Sequence, residues 1–154
     1  MGTFYFDSSR LAKRYVKEIG SAWVESVTDL AVGNEIMISL ATGAEVAAAI
    51  CKRARTGTLT PTDAAIALTT FKAEFKSHYF TVNLSKAIVD RAMSLAEKHG
   101  LRGYDSIQLA TASRLQEKRL ITGAPSITFV SADDKLNTAA QAEGLLVENP
   151  NNHP

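Results

Sequence analysis

Four acids stand where this chain should be burying apolar side chains. Asp7 ends the aromatic run TFYF, Glu45 is embedded in SLATGAEVAAAI, Asp105 heads LRGYDSIQLATAS, and Asp133 follows ITFVSA. Carboxylates gathered without cationic partners repel, raise one another's pKa and weaken a fold, so a shared site needs a compensating charge. Mg²⁺ or Mn²⁺ is the economical answer, because hard cations prefer oxygen ligands and accept a few carboxylates completed by water. His78, His99 and His153 show no ligand spacing, and Cys51 is the only cysteine, which excludes a cysteine-based zinc site and an intrachain disulfide.

Each acid also has a plainer reading. The segment DSIQ fits a helix N-cap at Asp105 with Gln108 three residues on, and Asp133 could merely cap the helix that starts DKLN. Asp134 reads as exposed first-turn charge. Asp7 is harder to explain this way, since an apolar strand ends on it and an unpaired buried carboxylate is costly; Ser9 could donate to it. Glu45 is the least ordinary. Its helical neighbours Ala41, Thr42, Ala48 and Ala49 include no base, so the carboxylate rises from a small-residue surface.

The elements that must position these acids alternate. TFYFD reads as a buried strand, followed by a helix from SSRLAKRYVKEIGS in which Leu11, Tyr15 and Ile19 share a face and Gly20 ends the run. EIMISL is a second strand, and ATGAEVAAAICKRARTG a helix ending near Gly57. Thr60, Pro61 and Asp63 signal the next helix start as N-cap, first position and first turn. YFTVNL is a third strand, and SKAIVDRAMSLAEKHG places Ile88, Ala92 and Leu95 inward. The helix headed by Asp105, a strand SITFVS, a helix over about 134–143 and a strand LLVE complete the chain. Strand–helix alternation without hairpin signals predicts an α/β fold with a central parallel sheet flanked by helices. Ligands of such sheets bind beyond the carboxyl ends of the strands, the edge at which Asp7, Asp105 and Asp133 should emerge.

Length and composition bound the rest. With 154 residues and 45% hydrophobic content, one domain over 1–148 is expected, with a polar tail at 149–154 that should fray. A net charge of +1 gives no bulk attraction to nucleic acid, so such binding must come from a local basic surface. A single cysteine, no run of membrane-spanning length and no basic-then-apolar leader after Met1 predict a soluble cytoplasmic protein.

The segments YFDSS, SLATGAEVAAAICKR, LRGYDSIQLATA and FVSADDKLNTAAQAEGL, in this order over nearly the whole chain, resemble the PIN-domain proteins, most closely the VapC-type ribonuclease toxins. The resemblance implies a three-layer fold with a sheet of about five parallel strands and metal-dependent cleavage of RNA to a 5′-phosphate and a 3′-hydroxyl. It carries the family's acidic cluster onto Asp7, Glu45, Asp105 and Asp133, with Ser9 and Ser131 in supporting polar positions. Asp7, Asp105 and Asp133 are then metal ligands, and Glu45 is a ligand or the acceptor that positions the attacking water. Ser8 and Ser131 stand where threonine is common, keeping the hydroxyl.

Arg10, Lys13 and Arg14, then Lys52, Arg53 and Arg55, and Arg102 beside Asp105 are candidate phosphate contacts, or else solvated helix faces. The resemblance also implies a homodimer and a VapB-type antitoxin partner, for which Tyr15, Trp23 and Val27 form either an apolar groove or part of the core. Two other phosphoryl-transfer classes fit poorly. A haloacid-dehalogenase-type phosphatase needs an aspartate where Ser9 stands, and a receiver domain carries its acceptor on a middle strand. A PIN-like module that binds RNA or protein without cutting predicts the same fold, and all four acids argue against it.

Overall fold

The computed structural model describes residues 1–154. Strand β1 (Thr3–Phe6) lies at the centre of a five-stranded, wholly parallel sheet. Its aromatic residues explain the placement: Tyr5 points into one apolar cluster and Phe6 into another, so both faces of the strand are covered. β2 (Glu35–Ser39) and β4 (Ile127–Val130) flank it, with Phe4 opposite Ile36 and Thr128. β3 (Phe80–Val82) and β5 (Leu146–Glu148) form the edges, giving the order β3-β2-β1-β4-β5. The chain steps outward from β1 to β3 and then returns to the other side of β1, so the strand order reverses between β1 and β4.

Helices α1 (Ser8–Leu11), α2 (Ser21–Thr28), α3 (Thr42–Arg55) and α4 (Pro61–Ser77) contribute to the cluster around Phe6, Ile38, Val46, Ile50 and Phe71. Helices α5 (Lys86–His99), α6 (Gly103–Ile121) and α7 (Asp134–Ala142) cover the other face around Tyr5, Leu109, Phe129 and Leu136. The three-layer α/β architecture expected from the alternation is thus the one observed. The signalled helix start at α4 also holds, with the Thr60 hydroxyl accepting the Asp63 amide at 3.0 Å, and Ile88, Ala92 and Leu95 are buried.

Two expectations fail. The first helix does not run to Gly20: α1 tightens into a 3₁₀ turn over Ala12–Arg14 and stops, leaving Ile19 exposed. The reason is Lys13, which is buried and donates to the Ile19 carbonyl and, at 3.1 Å, to Asn151; satisfying that ammonium takes a bent backbone. Nor does the tail fray. Pro150–Asn152 forms a 3₁₀ turn with Pro150 buried, and the His153 ring stacks on Trp23 at 4.7 Å while meeting Glu148 at 3.0 Å. Gly20 permits this docking: its φ is +83°, and an added Cβ would lie 2.3 Å from the Pro150 carbonyl oxygen.

Candidate active site

The β1–β4 reversal creates the crevice in which ligands of open sheets bind, and Asp7 sits at its mouth. Its amide donates to the Val130 carbonyl at 3.0 Å, extending the β1–β4 ladder one residue past the strand. Its carboxylate is buried, receives the Ser9 hydroxyl at 2.9 Å, and lies 3.4 Å from the Ser131 hydroxyl. Ser131 also accepts the Asp133 amide at 3.1 Å, so a single buried hydroxyl joins the ends of β1 and β4. Ser9 and Ser131, the polar positions the resemblance implies, both contact Asp7.

Asp133 is the helix cap that its sequence suggested. One carboxylate oxygen accepts the Leu136 amide at 2.9 Å, and the residue is otherwise exposed at the crevice. Asp105 is not a cap. Helix α6 begins two residues earlier, at Gly103, with Arg102 in the N-cap position, and Asp105 occupies the first turn without a capping bond. Its charge thus has no local structural use beyond the favourable helix dipole. Glu45 lies in the first turn of α3 and is half-buried.

Electrostatics tie the four together. Burial raises the Asp7 pKa above the ordinary carboxylate range, and the charge of Asp105 pushes it further against the help of Ser9 and Arg10. Burial likewise raises Asp105, with Asp133 adding repulsion and Arg102 opposing it. Glu45 is raised by burial and by Asp7 and Asp105, while the Ser8 and Tyr104 hydroxyls pull it down. None of the four forms an ion pair. As arranged here, no three His, Cys, Asp or Glu side chains lie close enough together to hold a metal ion.

Buried polar atoms left without partners point to the same place. Four exist in the molecule: Arg10 Nε, Tyr104 Oη, Asn137 Oδ1 and Ser113 Oγ. The first three border the acids, since Arg10 acts on Asp7, Tyr104 on Glu45, and Asn137 donates to the Ser131 carbonyl at 2.9 Å. Buried groups normally find partners, so these atoms leave hydrogen-bonding capacity beside the acids. An all-oxygen set of unpaired, mutually destabilised carboxylates fits a hard divalent cation that keeps part of its water.

A network beneath the acids went unread in the sequence. The Tyr5 hydroxyl donates to Gln108 Oε1 at 2.6 Å, and Gln108 Nε2 reaches the Ser8 and Thr42 hydroxyls at 3.1 and 3.4 Å. It fastens α6, α1 and α3 to β1 directly below Asp105, Asp7 and Glu45. Gln108 looks like a capping-box partner three residues after an aspartate; it is instead fully buried. Tyr104 was equally silent, its only signal being adjacency to Asp105.

The basic candidates divide. Arg10 and Arg102 stay beside the acids with no ion pair of their own. Arg14 does not belong with them: Nε and Nη2 bond both oxygens of Glu74 at 2.8 Å and Nη1 bonds Thr28 at 2.8 Å, so the guanidinium is spent inside the fold. Lys13 is buried and Arg53 pairs with Glu18 at 2.9 Å, which removes both. Tyr15, Trp23 and Val27 all pack on the core around Phe71, Val27 fully and the two aromatics in part.

No family model matches the chain. It is 31% identical over 148 residues to Ribonuclease VapC45 of Mycobacterium tuberculosis (strain CDC 1551 / Oshkosh) and equally to Ribonuclease VapC49 of M. tuberculosis (strain ATCC 25618 / H37Rv), covering 96% of this chain and 95% of each relative. Among solved structures, FitAcB from Neisseria gonorrhoeae matches with a TM-score of 0.64 at 16% identity, over 96% of this chain and 97% of that one. VapBC2 from Rickettsia felis, bound to a DNA fragment from its promoter, matches with a TM-score of 0.57 at 16% identity, over 96% and 98%. The structural likeness supports the fold, and the sequence likeness, end to end and above 30%, establishes that the chain belongs to the VapC ribonuclease family.

Proposed function

We propose that this protein is a metal-dependent endoribonuclease, hydrolysing RNA phosphodiester bonds at the edge formed by Asp7, Glu45, Asp105 and Asp133. The observation that carries this reading is four acids at one edge of the sheet that form no ion pair, three of them pushed toward protonation by burial and by acidic neighbours. Family membership supplies the substrate class. Five cavities of about 310–520 Å³ have none of the four acids in their walls.

Asp7, Asp105 and Asp133 would hold Mg²⁺ or Mn²⁺, with Glu45 as a further ligand or as the acceptor orienting the attacking water. A bound cation supplies charge stabilisation at the phosphate. The chain's own residues do the rest. Ser9 and Ser131 fix the rotamer of Asp7, Glu45 completes the ligand set or accepts from and orients the incoming water, and Arg10 and Arg102 hold the flanking phosphates. The nuclease unit, residues 1–148 with the tail 149–154 docked on it, would act in the cytoplasm as a homodimer.

By the same reading a VapB-type antitoxin neutralises the enzyme. The surface offered is a cavity of about 520 Å³ with Tyr15, Val16, Leu59, Ile66 and Ala67 among its walls, next to the Tyr15 position singled out in the sequence. Trp23 is unsuited to that groove, because His153 covers its ring.

The test is incubation of structured RNA with Mg²⁺ or Mn²⁺. Asp7→Asn and Asp105→Asn should each lower cleavage by about 10²-fold or more, as expected for removed groups that stabilise charge in the transition state, and EDTA should abolish it. The circular dichroism spectrum should stay that of the parent. Undiminished cleavage in either variant defeats the assignment, and tight RNA binding without any cleavage by the parent protein favours the non-cutting module instead.

A further inference from the structure

Beside the acidic edge, α3 and α4 enclose a second feature that the hydrolytic reading leaves unused. A cavity of about 310 Å³ is lined by Leu40, Gly43, Ala44, Ala47, Phe71 and Phe75, with Lys72 and Lys76 completing it. Leu40 follows the carboxyl end of β2, and Ala44 immediately precedes Glu45, so the cavity opens at the same end of the sheet as the acids. Its walls are almost wholly apolar, and its aromatic wall is held in place: a Cβ on Gly43 would meet the Phe75 ring at 2.9 Å. Only a glycine lets that ring lie against the first turn of α3. Both lysines are exposed, and neither forms an ion pair or a side-chain hydrogen bond, so both are free to meet an anion at the cavity rim.

An apolar, aromatic-walled slot flanked by two uncommitted cations matches the repeating chemistry of a nucleic acid strand, a flat base between anionic phosphates. Bases splayed from single-stranded RNA stack on aromatic side chains while basic residues follow the backbone. The volume lies at the lower end of the range for small-molecule sites, enough for one base rather than several. We propose that this α3–α4 cavity is a nucleobase subsite, taking one base of the RNA strand near the bond cut at Glu45 and the three aspartates, with Lys72 and Lys76 on the adjoining phosphates. The inference rests on the ribonuclease reading for its ligand. It adds that the enzyme reads a base through α3 and α4.

The test measures binding rather than cleavage, which separates the two readings. In an Asp105→Asn background, fluorescein-labelled rA12, rU12 and a 12-residue abasic ribose-phosphate oligomer are titrated by anisotropy, with Mg²⁺ present. A base-containing strand should bind about 10-fold tighter than the abasic one. Ala44→Phe, which fills the cavity from an exposed position, and Phe75→Leu should each shrink that ratio to about 2-fold or less without changing abasic binding. Lys72→Ala with Lys76→Ala should weaken all three strands alike and reduce the salt dependence. Equal affinity for abasic and base-containing strands overturns the proposal, as does a ratio that survives Ala44→Phe in a protein of unchanged melting temperature. If Ala44→Phe instead alters the sedimentation coefficient and leaves RNA affinity intact, a second copy of the chain covers the cavity and the subsite is wrong. A base-dependent ratio lost in both variants, with a parent protein that cuts no RNA, would leave the subsite standing while the nuclease reading falls.

Discussion

Gln108 shows at the scale of one residue how the site is held. Fully buried, it bonds the Tyr5 hydroxyl and reaches Ser8 and Thr42, so replacing it removes the Tyr5 partner and leaves Ser8 and Thr42 only their mutual contact at 3.4 Å. Gln108→Leu, close in volume, should cost about 2 kcal/mol in urea denaturation, the usual penalty for unsatisfied buried partners, and should lower turnover by loosening α1 and α3 beneath Asp7 and Glu45. A variant as stable as the parent would show the network to be incidental. That residue also marks the limit of reading a sequence. The acids were legible because a charge inside an apolar run is anomalous by itself, and Ser9 because it is two positions from Asp7. Gln108 raises no such flag: its partners lie 66 to 103 positions away, and only the packing of α6 on β1 brings them to it. Asp105 was readable as an acid at a helix start but not as an uncapped one, since the extra residues Gly103 and Tyr104 carry no strong boundary signal.

At the scale of elements, α4 is joined to the turn after α1 by a charge cluster rather than by apolar packing alone. Arg14 grips both oxygens of Glu74, and the Tyr15 and Tyr79 hydroxyls converge on the same carboxylate. Burial opposes ionisation of Glu74, but the bonds from Arg14 and Tyr15 outweigh it and hold its pKa at about 2. A carboxylate depressed in the folded state stabilises above its unfolded pKa and loses that contribution as pH falls toward the folded value. Glu74→Gln should therefore destabilise the protein by about 2 kcal/mol at pH 7, because breaking a largely buried pair leaves Arg14 uncompensated. The deficit should shrink steadily between about pH 4.5 and pH 2. A deficit independent of pH would mean that shape, not charge, joins the elements. The helices that sequence placed well, α4 and α5, carry their own caps and inward faces. The one it overextended, α1, ends where Lys13 turns inward to the Ile19 carbonyl and to Asn151, 138 positions later, and no local pattern announces the second contact.

Over the whole molecule, the chain closes on itself in two places. The tail docks against Gly20, Trp23 and Lys13. Gly20→Ala sets a side chain both at φ +83° and against the Pro150 carbonyl, so it should lift the tail, lower the melting temperature by several degrees at about 2–4 °C per kcal/mol, and red-shift the emission of Trp23 as His153 leaves its ring. Unshifted emission would show that the stack does not depend on the docking. The second closure is at the acids. β1 is among the earliest segments made, yet Asp7 has no Ser131 beside it until β4 exists, 124 positions on. A ribosome translating this message would thus hold a chain that lacks the strand bringing these ends together for most of the time of synthesis. The topology therefore delays assembly of the acidic edge until translation is nearly over.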